Sequence, residues 1–292
     1  MATSNIVEVS PSPPISNICP ESSFFTECRA SALPSPAEVR TLNELSGNYR
    51  ATFFNRPSPV IVPSLGLFVK YGADVTAAEA ETQRQIREWL QGQVPIPEVF
   101  GWTEDRGQVF IYMQLVQGET LQARFEGLNE GERQAICAEL GSMVNAWRSL
   151  KQEEPNRTLG QQPLNDIFIA GHSELAGPFV NPGAVERFQS ACGIEIDNQV
   201  PITFTHNDLC PPNILLSPGP SPKVISILDW GQSGWYPEYW EFCKARRVGV
   251  VDEDFDAALQ EEWHTKYLPT VMDPVDDEMY YHPYLYFMLS HI

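Results

Sequence analysis

The chain is 292 residues long and 42% hydrophobic, which suits either one large domain or two lobes. Its net charge at pH 7 is −19, from 19 basic and 38 acidic side chains. A nucleic-acid partner would require a basic stripe, so we expect none. An acidic surface instead favours a cationic partner, such as a small molecule that carries an amine.

Cysteine usage and the N-terminal segment indicate the compartment. The six cysteines are scattered without a C-x-x-C pair, which is typical of reduced thiols rather than of a disulfide framework or a zinc site. The first twenty residues lack the basic segment and apolar core of a secretory signal. No apolar run approaches the ~20 residues of a membrane span. We therefore expect a cytoplasmic protein without a membrane partner, and the oligomeric state is left open.

The first 116 residues predict a tail followed by a small lobe. Residues 1–36 are rich in Pro and Ser, which is typical of a flexible tail or of a strap along the surface. Residues 76–90 predict a helix, for which Thr76 and Glu79 form a possible capping box. Four β-like runs predict a small antiparallel sheet around it. They are Val60–Val62, Leu67–Tyr71, Glu98–Trp102 and Gln108–Val116.

Residues 117–292 predict a larger, mainly helical lobe. Asn129 and Glu132 resemble a second capping box, which opens a helix that ends near Leu150. Residues 184–192 and much of 237–268 also have helical patterns. Many Pro, Gly and Asn residues predict an ordered loop over 151–183. The predicted fold class is therefore α+β, with two lobes.

The run from His206 to Asn213 carries the strongest chemical signal. It fits the spacing H-x-D-L-x-x-x-N of a kinase catalytic loop, with Asp208 at its centre, and Asp229 stands where the metal-binding Asp of a D-F-G motif would. The short apolar run 213–216 and the β-rich run 224–228 flank a Pro- and Gly-rich turn and predict a hairpin. In an antiparallel hairpin the start of the first strand lies beside the end of the second. Asn213 and Asp229 should therefore meet at one edge, next to the loop that carries Asp208.

These residue types suit phosphoryl transfer from ATP. That reaction needs a carboxylate to receive the acceptor's proton, and a carboxylate and an amide to hold magnesium on the phosphates. Magnesium takes few protein ligands and leaves its other positions to water and phosphate. Each of the three residues is also common in turns, so only the combination favours this chemistry.

Seven further segments follow the pattern of a known family. They are Phe68–Gly72, Glu79–Thr82, Pro95–Val99, Ile111–Met113, Gln117–Leu121, Gly177–Phe179 and Gly234–Glu241. With them, residues 70–244 resemble the aminoglycoside phosphotransferase and choline kinase-like family, in particular its fungal branch. The resemblance implies a two-lobed protein kinase-like fold. Its parts would be the tail, a nucleotide-binding N-lobe over 37–116 with one helix beside a small antiparallel sheet, and a mainly helical C-lobe over 117–292 that carries the catalytic loop and the acceptor site.

The resemblance also implies roles for the residues of the two motifs. Asp208 is the base or proton acceptor, and Asn213 and Asp229 hold Mg²⁺. His206 orients the catalytic loop by hydrogen bonding, and the alternative for it is a structural histidine of the core.

Nucleotide binding is implied for residues 70–116. Lys70 would bind the α- and β-phosphates of ATP, held by a glutamate of the helix, for which Glu79 is favoured over Glu81. A point cation on a rigid strand is suited to a triphosphate. The backbone of Gln114, Leu115 and Val116 would form the hinge that meets adenine.

Two departures from kinase patterns affect the interpretation. No G-x-G-x-x-G covers the phosphates, and the nearest candidates are Leu45–Tyr49 and Ser64–Gly66. The stretch from Asp229 to Glu238 is too short for the activation loop of a protein kinase, so a small-molecule acceptor is favoured. We expect that acceptor to be lined from residues 233–291. The acidic and aromatic candidates there are Trp235, Trp240, Glu241, Asp252, Glu253, Asp254, Asp276, Asp277, Glu278, Tyr280 and Tyr281.

The predicted function is that of a small-molecule kinase. It would use ATP and Mg²⁺ to phosphorylate a hydroxyl of a small metabolite, which can carry an amine. Two alternatives remain open at this point: a kinase-like protein that binds nucleotide or ligand with little turnover, and the same fold adapted to non-phosphoryl chemistry in secondary metabolism.

Overall fold

The computed structural model describes residues 15–152, 158–159, 164–169, 172, 175–180, 183–196, 200–246 and 256–290. The chain divides into two compact units. Unit 1 comprises the residues up to Arg84 together with Glu98–Leu115, and unit 2 comprises Gln85–Pro97 and the chain from Val116 onward. Both contain strands and helices, so the predicted α+β class is confirmed.

Unit 1 is built on a five-stranded antiparallel sheet. Its strands are β1 (Asn17–Ile18), β2 (Val60–Val62), β3 (Leu67–Gly72), β4 (Val99–Asp105) and β5 (Gln108–Gln114), and its helices are α1 (Ser23–Thr26), α2 (Pro36–Leu45) and the first part of α3 (Ala77–Trp89). The strand order is β1-β4-β5-β3-β2. Alternate residues of β3 face opposite sides of the sheet, as the strand repeat requires. Val69 packs in one buried cluster and Phe68 packs against another that includes Ala80 of α3, so Lys70 lies on the α3 side.

The described part of the predicted tail, residues 15–36, is integrated into unit 1. Strand β1 pairs with β4, with Asn17 opposite Trp102. Cys19, Phe24 and Leu33 are buried in the unit's two clusters. Because β4 would otherwise present unpaired backbone groups, β1 completes the sheet at that edge.

Helix α2 was not predicted from the sequence. Ser35 and Glu38 form a complete capping box and Pro36 stands at the first helical turn, all three being standard start signals. On its buried face, Asn43 donates to the backbone oxygen of Ser58 and to the hydroxyl of Tyr71, both at 2.7 Å. Unit 1 therefore has more than the one helix that was predicted.

Unit 2 contains the predicted helix from Asn129. Its capping box with Glu132 is complete in the structure, which confirms that prediction, and the helix ends at Arg148. This helix is α5 (Glu130–Arg148). The other described helices are α4 (Leu121–Arg124), α6 (Ala184–Cys192), α7 (Trp240–Arg246), α8 (Ala257–Glu262), α9 (Leu268–Val271) and α10 (His282–Ser290). Two π-helical turns lie at Trp263–Tyr267 and Asp277–Tyr281.

Short antiparallel strands frame the loop that carries Asp208 in unit 2. The strands are β6 (Glu119–Thr120), β7 (Thr158–Leu159), β8 (Phe179–Val180), β9 (Ile202–Thr205), β10 (Ile214–Leu216), β11 (Val224–Ile227) and β12 (Gly234–Pro237). Strands β10 and β11 form the predicted hairpin, with Ile214 opposite Ile227. Strand β9 leads into the loop and pairs with β12. The loop is thereby held between two strand pairs that pack on a buried core around α5.

Candidate functional site

The loop that follows β9 is organised by His206, which is completely buried. Its Nδ1 accepts a hydrogen bond from the backbone N–H of Asp208 at 3.1 Å, and its Nε2 lies 2.9 Å from the carbonyl oxygen of Leu228. An acceptor at Nδ1 and a carbonyl beside Nε2 require the neutral tautomer with its proton on Nε2. Burial lowers the pKa of His206 to about 4, which keeps the ring neutral. These contacts join Asp208 to the residue before Asp229, as expected of a positioning histidine.

A pH-dependent loss of stability should follow from this burial. The pKa is about 6.5 in an unfolded chain and about 4 in the folded protein, so the unfolded state binds more protons as the pH falls below 6.5. The contribution of neutral His206 to the free energy of unfolding is therefore complete above pH 6.5 and is lost progressively toward pH 4. Between pH 8 and pH 5 it should amount to about 2 kcal/mol. Urea unfolding at both pH values should show that the free energy of unfolding falls by this additional amount in wild type and not in His206→Gln. An equal fall in the two proteins would contradict the prediction.

Asp208 is half-buried and carries a perturbed carboxyl group. Burial, with a contribution from the charge of Asp229, raises its pKa to about 6, against the opposing effects of the Lys244 ammonium and the Asn213 amide. The side-chain N–H₂ of Asn213 donates to the backbone oxygen of Asp208 at 2.9 Å and to its carboxylate at 3.1 Å. Because the amide nitrogen is engaged in this way, Oδ1 of Asn213 is the atom that can bind a metal.

Asp229 lies beside this pair at the end of the hairpin. The backbone N–H of Leu228 donates to the carbonyl of Asn213 at 2.8 Å, which places the start of β10 against the end of β11. Asp229 has a left-handed backbone with φ of 58° and its side chain is exposed. Such a conformation in a residue other than glycine costs roughly 1 kcal/mol and often marks a functional position. The predicted convergence of Asp208, Asn213 and Asp229 is therefore present in unit 2.

The donor set fits magnesium. An amide oxygen and a carboxylate are hard oxygen ligands, and magnesium needs only one or two of them when phosphate and water fill its other positions. A cation held by Asn213 and Asp229 would also offset the effect of the Asp229 charge, which raises the pKa of Asp208. Among the described residues, His, Cys, Asp and Glu side chains form no cluster of three or more that could hold a metal.

A buried carboxylate that was predicted to line the acceptor site instead supports the loop of Asp208. Glu241 of α7 accepts hydrogen bonds from the backbone N–H groups of His206 at 2.7 Å and Asn207 at 3.3 Å. Its second oxygen accepts from the indole of Trp147 at 3.3 Å and lies 3.6 Å from Arg148. Glu241 is 1% exposed. The prediction that it lines an acceptor site is therefore wrong, because one oxygen binds the backbone of the loop and the other binds Trp147 and Arg148.

Other candidates for the acceptor site also have structural roles. Trp240 is completely buried, so it cannot stack on an acceptor, and that prediction is wrong. Asp276 caps the turn that follows it through the N–H of Met279, and Asp277 pairs with Arg246. Trp235, Glu278, Tyr280 and Tyr281 are exposed or half-buried and stay candidates. The candidates Asp252, Glu253 and Asp254 lie outside the described residues.

In unit 1, Lys70 pairs with Glu79. The distance from Nζ to Oε1 is 2.6 Å, and the backbone N–H of Glu79 is capped by the hydroxyl of Thr76 at 3.2 Å. The Glu79 side chain is 5% exposed and that of Lys70 is 29% exposed, so the carboxylate is buried and the lysine side chain is partly accessible to solvent. Glu81 is exposed. Of the two candidates, Glu79 makes the ion pair.

The hinge and the turn before Lys70 are linked by backbone hydrogen bonds. The N–H of Gln114 donates to the carbonyl of Glu98 at 2.8 Å, and the N–H of Leu115 donates to the carbonyl of Gly66 at 2.9 Å. These two N–H groups are engaged within unit 1, so adenine recognition by the hinge would fall to its carbonyls and to Val116. Gly66 has φ of 58° and closes the β2–β3 hairpin.

Comparison with known proteins shows the family of the chain. Residues 63–276 match the model of the phosphotransferase enzyme family, called APH. This chain belongs to that family. The match covers both the Lys70–Glu79 pair and the loop of Asp208, and it accounts for the protein kinase-like form of the α+β fold. The fungal branch is not shown by this match.

Two aminoglycoside phosphotransferases to which this chain is similar have low sequence identity to it. The aminoglycoside 3'-phosphotransferase of Streptomyces fradiae is 24% identical over 192 residues, which are 62% of this chain and 69% of that protein. The structure of an aminoglycoside-3'-phosphotransferase of type VIII has a TM-score of 0.49 and 18% identity, covering 77% of this chain and 84% of that one.

A ternary complex of a thermostable mutant of APH(4)-Ia with AMP-PNP and hygromycin B has a TM-score of 0.40 and 17% identity. It covers 61% of this chain, which spans only 62% of that protein's length. We draw no conclusion about the site from these structural similarities. Among the helices that the structure describes in this phosphotransferase, none combines the length and hydropathy that crossing a bilayer requires.

Proposed function

We propose that this phosphotransferase uses ATP and magnesium to phosphorylate a hydroxyl group of a small metabolite. The observation that carries the proposal is the convergence of Asp208, Asn213 and Asp229 at one end of the β10–β11 hairpin. A perturbed carboxyl beside an amide and a second carboxylate is the arrangement that phosphoryl transfer needs.

In the proposed reaction the acceptor's hydroxyl oxygen forms a bond to the γ-phosphorus. The bond from that phosphorus to the bridging oxygen breaks, ADP leaves, and the hydroxyl proton passes to the carboxylate of Asp208. Asn213 and Asp229 would hold magnesium, which would neutralise charge on the phosphate oxygens. His206 and Glu241 keep the loop of Asp208 in place.

Lys70 is proposed to bind the α- and β-phosphates. Its ammonium is a compact point charge on the rigid strand β3, and the ion pair with Glu79 fixes its direction. The hinge residues Gln114, Leu115 and Val116 are proposed to meet the adenine base through their backbone groups.

The acceptor is proposed to be small. Directly after Asp229 the chain forms a 3₁₀ turn at Trp230–Gln232 and then β12, which pairs with β9. These elements use the whole connection up to α7, so an inserted segment that could dock a peptide is not present there. The net charge of −19 favours an acceptor that carries an amine.

Phosphorus NMR with MgATP and a panel of amino alcohols, amino sugars and neutral sugars tests the proposal. We expect acceptor-dependent loss of the γ-phosphate signal and a new phosphomonoester resonance, largest for amine-bearing acceptors. Thermal shift in the same samples separates the alternatives. Stabilisation by MgATP without turnover on any acceptor would indicate a binding protein, and the absence of both would leave non-phosphoryl chemistry.

The Lys70 pairing gives a matched test within one helix. Glu79→Gln removes the charge that holds Lys70 and should raise the KM for ATP by about 10-fold or more, in the range typical of residues that orient a ligand-binding group. Glu81→Gln, two residues away and exposed, should behave as wild type. Equal effects of the two substitutions on the KM, measured by steady-state kinetics, would contradict the assignment.

A further inference from the structure

Beneath the catalytic loop lies a second buried group of polar side chains, centred on Asp166 and Lys244. Asp166 is completely buried and Lys244 is 6% exposed. The Lys244 ammonium lies 2.7 Å from Oδ2 of Asp166. Burial alone would raise the pKa of Asp166, but the adjacent ammonium holds it below its usual value. The pair is therefore charged, in a place where charges are costly unless they are fully partnered.

One side of this pair holds the loop of Asp208. Oδ2 of Asp166 also accepts hydrogen bonds from the side-chain amide of Asn207 at 2.9 Å and from the indole of Trp240 at 3.1 Å. Asn207 immediately precedes Asp208 and has a left-handed backbone with φ of 63°. Its conformation sets the direction in which Asp208 leaves the chain, so the Asp166 carboxylate acts directly on the placement of that residue.

The other side of the pair holds the turn that follows Asp229. The Lys244 ammonium donates to the side-chain oxygen of Gln232 at 2.6 Å. Gln232 ends the 3₁₀ turn that begins one residue after Asp229, and the same oxygen accepts from the backbone N–H of Ile167 at 3.0 Å. A single ion pair is thus bonded to both segments that carry the proposed chemistry.

The position of Lys244 on α7 explains this double contact. Glu241 and Lys244 are three residues apart and therefore share one face of the helix. Glu241 binds the backbone N–H groups at His206 and Asn207, and Lys244 reaches the side chain of Asn207 through Asp166. Asn207 is consequently fixed at both its backbone and its side chain from the same face of one helix.

We propose that the buried Lys244–Asp166 ion pair is a positioning element that couples the loop of Asp208 to the turn after Asp229. The inference rests on the proposed function for its catalytic meaning, but the coupling itself can be measured without turnover. Neither residue contacts the reacting groups in this arrangement, and both act through Asn207 and Gln232. The Lys244 ammonium also lowers the pKa of Asp208 through its charge.

The test uses Lys244→Met in the full chain, with hydrogen exchange followed by mass spectrometry. Peptides that cover residues 203–213 and 228–235 should both exchange about tenfold faster than in wild type, because the two segments lose their common support. The control is Gln189→Met, which removes a buried hydrogen bond of 3.2 Å to the hydroxyl of Tyr239, a residue of the same unit that lies outside both segments. In the control these two peptides should not be selectively affected.

A second variant keeps the proposal testable if Lys244→Met does not fold. Gln232→Met breaks the link to the turn and the hydrogen bond from the Ile167 N–H, but it keeps the bond between Asn207 and Asp166. Exchange should therefore accelerate in residues 228–235 and not in 203–213. Acceleration spread evenly over all peptides, as for a general loss of stability, or unchanged exchange in the two segments would overturn the proposal.

Kinetics on the same folded variants separate positioning from stability. Lys244→Met should lower kcat by about 10–100-fold, the range for residues that orient site groups, while the KM for ATP changes little and Gln189→Met keeps the wild-type kcat. If wild type transfers no phosphate to any acceptor, the proposed function fails, and the exchange data still decide whether the ion pair couples the two segments.

Discussion

An Asp208→Ala variant is expected to lose turnover by on the order of 10²–10⁴-fold, the usual contribution of a positioned acid–base group. Nucleotide binding should be largely kept, because Lys70 and the hinge lie in other elements. Alanine keeps the hydrogen bond from the backbone N–H of residue 208 to His206, so the loop should stay in place. It removes the carboxylate, and with it the bond from Asn213 and the group that would accept the proton. The measurement combines kcat with the dissociation constant for MgATP from calorimetry.

The control for this experiment is Asn129→Ala in the same unit. It removes the cap of α5 and should cost about 1 kcal/mol of stability with no change in kcat. An Asp208→Ala protein that turns over at the wild-type rate would end the assignment of Asp208 as the proton acceptor.

The second large effect is expected for Asp229→Asn. Asparagine tolerates the left-handed backbone that Asp229 adopts, so the hairpin end should be retained while the negative charge is lost. Losing metal charge at the phosphates is worth several kcal/mol of transition-state stabilisation, which corresponds to roughly 10²–10⁴-fold in rate. The variant should also lose most of the increase in ATP affinity that magnesium gives to wild type.

Manganese-binding measurements by EPR, in the presence of ATP, check the metal role separately from the rate. In the presence of ATP, wild type should bind manganese more tightly than Asp229→Asn does. Equal metal dependence of the two proteins, in binding and in rate, would show that Asp229 is not a ligand.

The features that were predicted correctly from the sequence are local. The capping box at Asn129 and Glu132 and the hairpin around residues 217–223 are encoded within a few positions of the chain, where turn and capping preferences act. The spacing from Asp208 to Asn213 is equally local, and the hairpin brings Asp229 to both. The convergence could therefore be inferred before any coordinates.

The features that were missed depend on long-range partners. Glu241 binds a backbone 35 residues away in sequence, and Asp166 pairs with a lysine 78 residues away. Nothing near either residue indicates burial, and acidic side chains are exposed in most proteins. Their pairing could not be predicted without the fold. Helix α2 is a different case, because the capping box of Ser35 and Glu38 was legible but spans residue 36, where the predicted tail ends and the predicted N-lobe begins.

The pairing of β1 with β4 has a practical consequence for anyone who shortens the gene. A protein that starts at residue 37, where the small lobe was predicted to begin, would leave the backbone of Gly101 and Trp102 without its neighbour and would uncover the pocket that Phe24 fills. An unpaired edge strand beside exposed apolar side chains promotes self-association. Expression trials should therefore keep everything from residue 15 onward, since this segment supplies an edge strand and core side chains of unit 1.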